Sequence, residues 1–139
     1  MQIRPFEDAD EAAVIALWQA AGLTRSWNDP RKDIDRKRSV QREWFLVGTQ
    51  DGAVIASIMI GYDGHRGWIN YLAVAPDQRR KGHARTLMRE AERLLAAAGC
   101  PKVNLQVRTS NASVIAFYEA IGYAQDAVVS FGRRLIPDE

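Results

Sequence analysis

Several residue types are scarce in this chain of 139 residues, and each scarcity closes off a class of protein. Cys100 is the lone cysteine, so no disulfide can form within the chain, as befits a reducing compartment. The two histidines, His65 and His83, make no cluster with it or with acidic residues at metal-ligand spacing, so no metal is expected. Neither sign of charge dominates: 19 Lys and Arg against 17 Asp and Glu leave a net +2, too little to imply a nucleic-acid or membrane partner by itself. No apolar run is long enough to span a bilayer, and the opening Met1-Gln2-Ile3-Arg4-Pro5 lacks the apolar stretch of a signal peptide. Repeats, low-complexity tracts and linkers are missing too. The expectation is one domain over residues 1–139, cytoplasmic, with apolar and charged fractions of 47% and 26% that suit a globular core.

Hydrophobic periodicity then sets out the elements. Ile3 to Pro5 reads as a short strand, and Asp8 with Glu11 as a capping-box start for a helix whose stripe is Val14, Leu17, Trp18 and Ala21, stopping at Gly22. Residues 24–30 are rich in turn formers, and the charged run from Arg31 predicts a second helix reaching about Arg42. Strands over 44–48 and 53–61 flank Asp51-Gly52, a strong hairpin signal, and Asp63-Gly64 turns the chain into a strand over 67–74. Ala84, Leu87, Met88, Ala91, Leu94, Leu95 and Ala98 form a helical stripe closed by Gly99 and Pro101. Alternation over 102–108 turns Val103, Leu105 and Val107 one way and Asn104, Gln106 and Arg108 the other. Asn111 caps a last helix bearing Ile115, Phe117, Tyr118 and Ile121, and one or two terminal strands are expected between Tyr123 and Ile136. The predicted fold class is α/β (α+β), in the order β-α-α-β-β-β-α-β-α-β around one mixed, mostly antiparallel sheet.

The most informative stretch is Arg79-Arg80-Lys81-Gly82-His83-Ala84, between a strand-ending proline turn and the long amphipathic helix. Glycine lets the backbone approach a ligand, Ala84 keeps the first helical turn clear, and the helix start offers free N–H groups and a positive dipole end. With Arg79, Lys81 and Arg85 nearby, this is a grip for a phosphate or pyrophosphate, unless it is only an exposed basic loop. Neither G-x-x-x-x-G-K-[ST] nor a G-x-G-x-x-G after the first strand is present.

The segment R-R-K-G-H-A resembles the Q/R-x-x-G-x-G/A signature of the GCN5-related N-acetyltransferases (GNAT). Y-L-A-V-A-P-D before it and N-A-S-V-I-A-F-Y-E-A-I-G-Y from Asn111 to Tyr123 resemble that family as well. The resemblance implies a GNAT-like fold with helices on both sheet faces and an acetyl-coenzyme A site. It implies that the strand at Asn70 to Val74 carries a bulge and splays from the strand at Val103 to Arg108. Leu72, Ala73 and Val74 would then present main chain to the pantetheine arm. Arg79, Arg80, Lys81, Gly82, His83, Ala84, Arg85 and Thr86 would hold the pyrophosphate, and Asn111 would lie near the pantetheine while also capping its helix.

The same resemblance makes Tyr118 the general acid that protonates the departing coenzyme A thiolate; spacing alone favours instead an aromatic anchoring the helix. Relatives resembling the ribosomal-protein alanine N-acetyltransferases carry a glutamate in a strand read as L-E-V-R, where this chain has Leu105-Gln106-Val107-Arg108. Gln106 cannot act as a base, so ordered water is the expected proton carrier. Trp27, Asn70 and Gln106 are the expected acceptor-binding residues, with Asn28 beside them. The Arg31–Arg38 run reads as a solvated helix face that, if it lines the acceptor pocket, favours an acidic acceptor. His65, Glu43 and Asp63 have no positional support as bases, and Cys100 reads as a packing residue.

The resulting expectation is an acetyl-coenzyme A-dependent N-acetyltransferase acting on a small amine or a peptide N-terminus, with a homodimer feasible through the terminal strands. A non-catalytic acyl-coenzyme A-binding module is the alternative. A nucleic-acid binder ranks last, because the basic residues lack an aromatic platform.

Overall fold

The computed structural model describes residues 1–138. Its elements are β1 (Gln2–Pro5), α1 (Glu11–Ala20), α2 (Pro30–Arg38), β2 (Phe45–Gln50), β3 (Ala53–Tyr62), β4 (Gly67–Val74), α3 (His83–Ala97), β5 (Val103–Leu105) and α4 (Ala112–Ala120). The strands form a sheet in chain order, β1-β2-β3-β4-β5, antiparallel up to β4 and parallel between β4 and β5. The mixed, mostly antiparallel fold class is therefore as expected.

The alternating strand pattern divides the core into two layers. On one face Leu46, Ile58, Ile60 and Ile69 meet Leu87, Met88, Ala91 and Leu95 of α3 and Tyr118 of α4. On the other, Phe45, Val47, Met59 and Ala73 meet Val14, Leu17 and Trp18 of α1 and Ile34 of α2. Gly67 lies where α3 presses on β4: a Cβ there would stand 2.7 Å from Leu95 Cδ1 and 3.1 Å from Cys100 Sγ. Cys100 is thus a packing residue.

Several boundaries differ from the sequence reading. The helical start is set one residue earlier, with the Asp10 carboxylate accepting from the Glu7 N–H at 2.8 Å and paired with Arg4 at 2.7 Å. Helix α2 begins at Pro30, capped by Asp29, and ends at Arg38 rather than Arg42, because a 3-10 turn over Arg42–Trp44 intervenes. Strand β5 covers only Val103–Leu105 of the expected 102–108.

No terminal strand forms between Tyr123 and Ile136, which corrects the last element of the expected order. That segment runs past the β5 side of the sheet, held by side chains instead of a backbone ladder. Asp126 accepts from Lys102 at 2.9 Å and from Asn104 at 2.8 Å, and Gln106 donates to Ser130 at 2.5 Å. Further on, Arg134 donates to Asn28 Oδ1 at 2.9 Å. The Asp138 carboxylate, 2% exposed, accepts from Arg36 at 2.6 Å and from the Asp29 N–H at 2.8 Å. The chain thus closes back onto the start of α2.

Candidate functional site

Strand β4 is the centre of the site because its two halves have different neighbours. Gly67, Trp68 and Ile69 pair with Val103, Asn104 and Leu105 of β5, and there the parallel ladder stops. From Asn70 on, β4 pairs with β3 alone, and its register against β3 slips between Ser57↔Ala73 and Met59↔Asn70. The slip is a bulge centred on Tyr71, whose φ of 52° is left-handed, a conformation a tyrosine adopts only under constraint. The bulge and the end of the β5 ladder coincide, so the strands part and leave one edge of Leu72, Ala73 and Val74 free of a strand partner.

The constraint on Tyr71 comes from the core. Ser57 Oγ, fully buried, accepts from Trp18 Nε1 at 2.9 Å and donates to the Tyr71 carbonyl at 2.9 Å. The Trp18 and Tyr71 rings stack at 3.8 Å between centroids. At the outer end, Tyr71 Oη donates to Asp33 Oδ2 at 2.6 Å, Asn28 Nδ2 donates to that oxygen at 2.5 Å and to Tyr71 Oη at 3.1 Å, and Arg36 donates to Asp33 Oδ1 at 2.9 Å. Burial and then the neighbouring carboxylate push the Tyr71 phenol well above its ordinary range, so it remains a neutral donor.

The parted strands open a cleft of about 550 Å³. Asn70, Tyr71 and Leu72 form its floor; Leu105 to Arg108, Asn111, Val114 and Tyr118 form one wall, and Ala21 to Leu23, Arg25, Trp27, Asn28 and Asp33 the other. The expected acceptor residues Trp27, Asn70 and Gln106 thus share one cavity with Leu72, Asn111 and Tyr118. Trp27 is 52% exposed with the Arg108 guanidinium 5.8 Å from its ring centroid, a cation–π stack. Gln106 is engaged by Ser130, and Asn111 caps α4 by accepting from the Val114 N–H at 3.4 Å.

Tyr118 is 8% exposed, meets Phe117 and Tyr123 edge-on at 5.0 and 5.8 Å, and has no hydrogen-bond partner among the described residues. Burial pushes its phenol up to about 12, which keeps it protonated through the physiological range.

The loop before α3 has the shape expected of an anion grip. Arg80 at φ 65° and Gly82 at φ 80° are both left-handed, and they turn the chain so that α3 starts at His83 with its first-turn N–H groups unpaired within the helix. Arg79, Arg80, Lys81 and Arg85 are exposed and take part in no ion pair among the described residues; Lys81 donates to Gln78 Oε1 at 3.2 Å. The Thr86 hydroxyl donates to the Gly82 carbonyl at 3.0 Å, leaving its oxygen lone pairs. His83 Nε2 is buried with no partner, an orphaned polar atom at the loop itself. Free N–H groups, unpaired cations and an orphaned imidazole nitrogen together suit a polyanionic group such as a pyrophosphate. Ala84 follows, half-buried and too small to obstruct it.

Other expectations fall outside this site. His65 and Asp63 form the β3–β4 turn, where Asp63 accepts from the N–H groups of His65 and Arg66, and Glu43 sits in the 3-10 turn; none lines the cleft. The cations of α2 are not a free basic face. Arg36 pairs with Asp33 and Asp138, Arg38 with Asp8, Glu11 and Asp35, and Lys37 Nζ turns inward to the Ile60 carbonyl at 2.5 Å. The sequence reading had missed Tyr71, Asp33, Ser57 and Arg108. One signal was present for Asp33: Ile34 is the only apolar residue of the Arg31–Arg38 run, so its face must turn inward and bring adjacent polar residues with it.

Comparison with known proteins adds the following. The family model described as Acetyltransferase (GNAT) family matches residues 12–123. The chain is 49% identical over 140 residues to an acetyltransferase of Sodalis glossinidius (strain morsitans), covering 100% of this chain and 99% of that one. Among solved structures, Ard1 from Thermoplasma volcanium superposes with a TM-score of 0.76 at 28% identity, over 91% of this chain and 84% of that one. The ribosomal-protein-S18-alanine N-acetyltransferase from Escherichia coli gives a TM-score of 0.76 at 26% identity, over 91% and 79%.

Proposed function

This chain belongs to the GNAT family of acetyltransferases, and on that footing we propose that it transfers an acetyl group from acetyl-coenzyme A to a primary amine. The amine, of a small molecule or a peptide N-terminus, attacks the thioester directly. The observation that carries this reading is the single cleft in which the unpaired edge of β4, the capped start of α4 and the buried Tyr118 phenol converge, beyond a loop built for a polyanion.

Each part has a chemical task. The loop from Arg79 to Thr86 holds the pyrophosphate through the first N–H groups of α3, with Arg79, Arg80, Lys81 and Arg85 as counter-charges and His83 Nε2 as a further contact. The free edge at Leu72, Ala73 and Val74 offers main-chain groups to the amide-bearing pantetheine arm in the manner of a missing strand. Asn111 keeps its Nδ2 group available while its Oδ1 caps α4. Tyr118, neutral and apolar-walled, protonates the sulfur as the C–S bond breaks. On the other side of the floor, Trp27, Asn70 and Gln106 bind the acceptor. Arg25 and Arg108 are the cations lining that part of the cleft, which favours an acceptor bearing an acidic group near its amine.

Coenzyme A release over a panel of amines, polyamines, amino acids and peptides tests the reading, alongside a thermal shift with acetyl-coenzyme A. Turnover with any amine supports catalysis. A thermal shift with no turnover over the whole panel would favour a non-catalytic acyl-coenzyme A-binding module instead. A second copy of the chain is the partner proposed for the C-terminal segment, whose Val128, Val129, Phe131, Leu135 and Ile136 are all exposed; sedimentation as a monomer at micromolar concentration would refute that.

A further inference from the structure

An amine presented near neutral pH is an ammonium ion and cannot attack until it loses a proton, and β5 offers Gln106 where a carboxylate could have taken it. Among the described residues, the cleft lining contains neither histidine nor glutamate. Its cations, Arg25 and Arg108, present only donors, and its two phenols are both shifted toward the neutral form. Among the described residues, Asp33 is the only carboxylate on that surface. It reaches the floor through Tyr71: the phenol proton lies on a 2.6 Å hydrogen bond to Asp33 Oδ2. Tyr71 Oη, with one lone pair occupied by Asn28 Nδ2 at 3.1 Å, has the other free for a donor in the cleft.

We propose that the acceptor binds as a protonated primary amine that donates an N–H to Tyr71 Oη, directly or across one water, and that its proton passes through this hydroxyl to Asp33. The inference rests on the acetyl-transfer reading. As the nitrogen proton moves to Tyr71 Oη, the phenol proton moves to Asp33 Oδ2, so Tyr71 is neutral before and after. The freed nitrogen lone pair forms the C–N bond to the thioester carbonyl; the C–S bond then breaks and the sulfur takes the Tyr118 proton. Asp33 releases its proton to solvent, and the second nitrogen proton, acidic once the C–N bond has formed, is returned through water to the Tyr118 oxygen.

The surroundings suit a relay. Trp18 stacked on the ring and Ser57 on the carbonyl fix Tyr71 where the bulge turns it into the cleft. The charged groups around Asp33 are Arg36 on its own helix, Lys32 one residue before it, and Arg134 and Asp138 from the C-terminal segment, with Asn28 from the preceding loop and Tyr71 from β4. Arg36 holds the Asp33 carboxylate in place through Oδ1, which leaves Oδ2 facing Tyr71, and the same guanidinium is shared with Asp138.

The test compares ethylamine, protonated at neutral pH, with 2,2,2-trifluoroethylamine, which its fluorines leave unprotonated, at saturating acetyl-coenzyme A. Wild-type kcat/KM for ethylamine is expected to be nearly flat between pH 6.5 and 8.5. Asp33→Asn should lower it about 100-fold at pH 7 and make it climb about tenfold per pH unit, following the free amine. Trifluoroethylamine should lose less than about fivefold, and acetyl-coenzyme A affinity should be unchanged. Tyr71→Phe, which keeps the stacked ring, should reproduce that pattern and serves should Asp33→Asn fold poorly. Equal losses for both amines, or an unaltered pH profile, would overturn the relay. Should wild-type protein act only on amines that also bear an acidic group, the pH comparison is made with the one it uses, and an Asp33→Asn profile that matches wild type there would overturn the relay. Inertness toward every amine would strike the acetyl-transfer reading itself.

Discussion

Tyr118 is enclosed by Phe117, Tyr123 and the α3 face of the core, and its hydroxyl has no protein partner among the described residues. Removing that oxygen therefore strands no other group, and Tyr118→Phe should fold normally. Turnover should fall about 100-fold while acetyl-coenzyme A affinity is kept, as steady-state kinetics and titration would read. Ser57 behaves in the opposite way, because its oxygen serves two partners. Ser57→Ala leaves the Trp18 indole N–H buried without an acceptor and the Tyr71 carbonyl without its donor. A loss of about 1–3 kcal/mol in a denaturant melt is expected, together with weaker turnover as the bulge relaxes. That Tyr118 and Asn111 would lie near one another was legible in the sequence because both belong to one helix and its cap, and both line the cleft. Asp33 was not, since its meaning depends on a tyrosine 38 residues away that meets it only when β4 bulges.

At the scale of elements, the turn into α3 depends on Gly82, whose left-handed φ of 80° opens the helix with its N–H groups outward. Gly82→Val should cost about 1–2 kcal/mol of stability and weaken acetyl-coenzyme A binding more than tenfold, read by thermal melts and titration; Gly52→Val, at another left-handed glycine in the β2–β3 turn and outside the cleft, controls for the backbone cost alone. Elements with strong local signals were readable: the Asp51-Gly52 hairpin, the stripe of α3 and the capped start of α4 all lie where periodicity put them. The two strand readings that failed did so for one reason. Alternation in 102–108 and the apolar residues between Tyr123 and Ile136 mark stretches fit for a strand, but a ladder also needs an adjacent backbone. Past Leu105 the neighbour on one side has turned away at the bulge, and on the other the C-terminal segment holds its distance through Asp126 and Ser130.

For the molecule as a whole, its alkaline and acid limits are set by different groups. Tyr71, Tyr118 and Tyr123 all have phenols raised by burial, Tyr118 to about 12 against an ordinary value near 10. Their contribution is fully present below about pH 10 and is lost as pH rises toward 12, so Tyr118 alone should account for about 2 kcal/mol of alkaline destabilisation. Urea melts at pH 9 and 11.5 would show the loss, reduced in Tyr118→Phe. At the acid end Asp138, lowered to about 2 chiefly by its bond to Arg36, ties the C-terminal segment to α2. That tie is intact above about pH 4 and weakens as pH falls toward 2. Asp138→Asn should loosen it at neutral pH, seen as faster amide exchange in residues 124–138 with α3 unaffected.

The stack of Arg108 on Trp27 has one more consequence. Trp18 is sealed in the core, whereas Trp27 stands half in solvent at the rim of the acceptor side, so the cleft contains its own optical reporter. A molecule settling between Trp27 and Asn70 would displace water from the indole and draw its fluorescence toward the blue, before any chemistry takes place. The unknown acceptor could thus be sought by emission in protein without acetyl-coenzyme A, with Trp27→Phe as the blank.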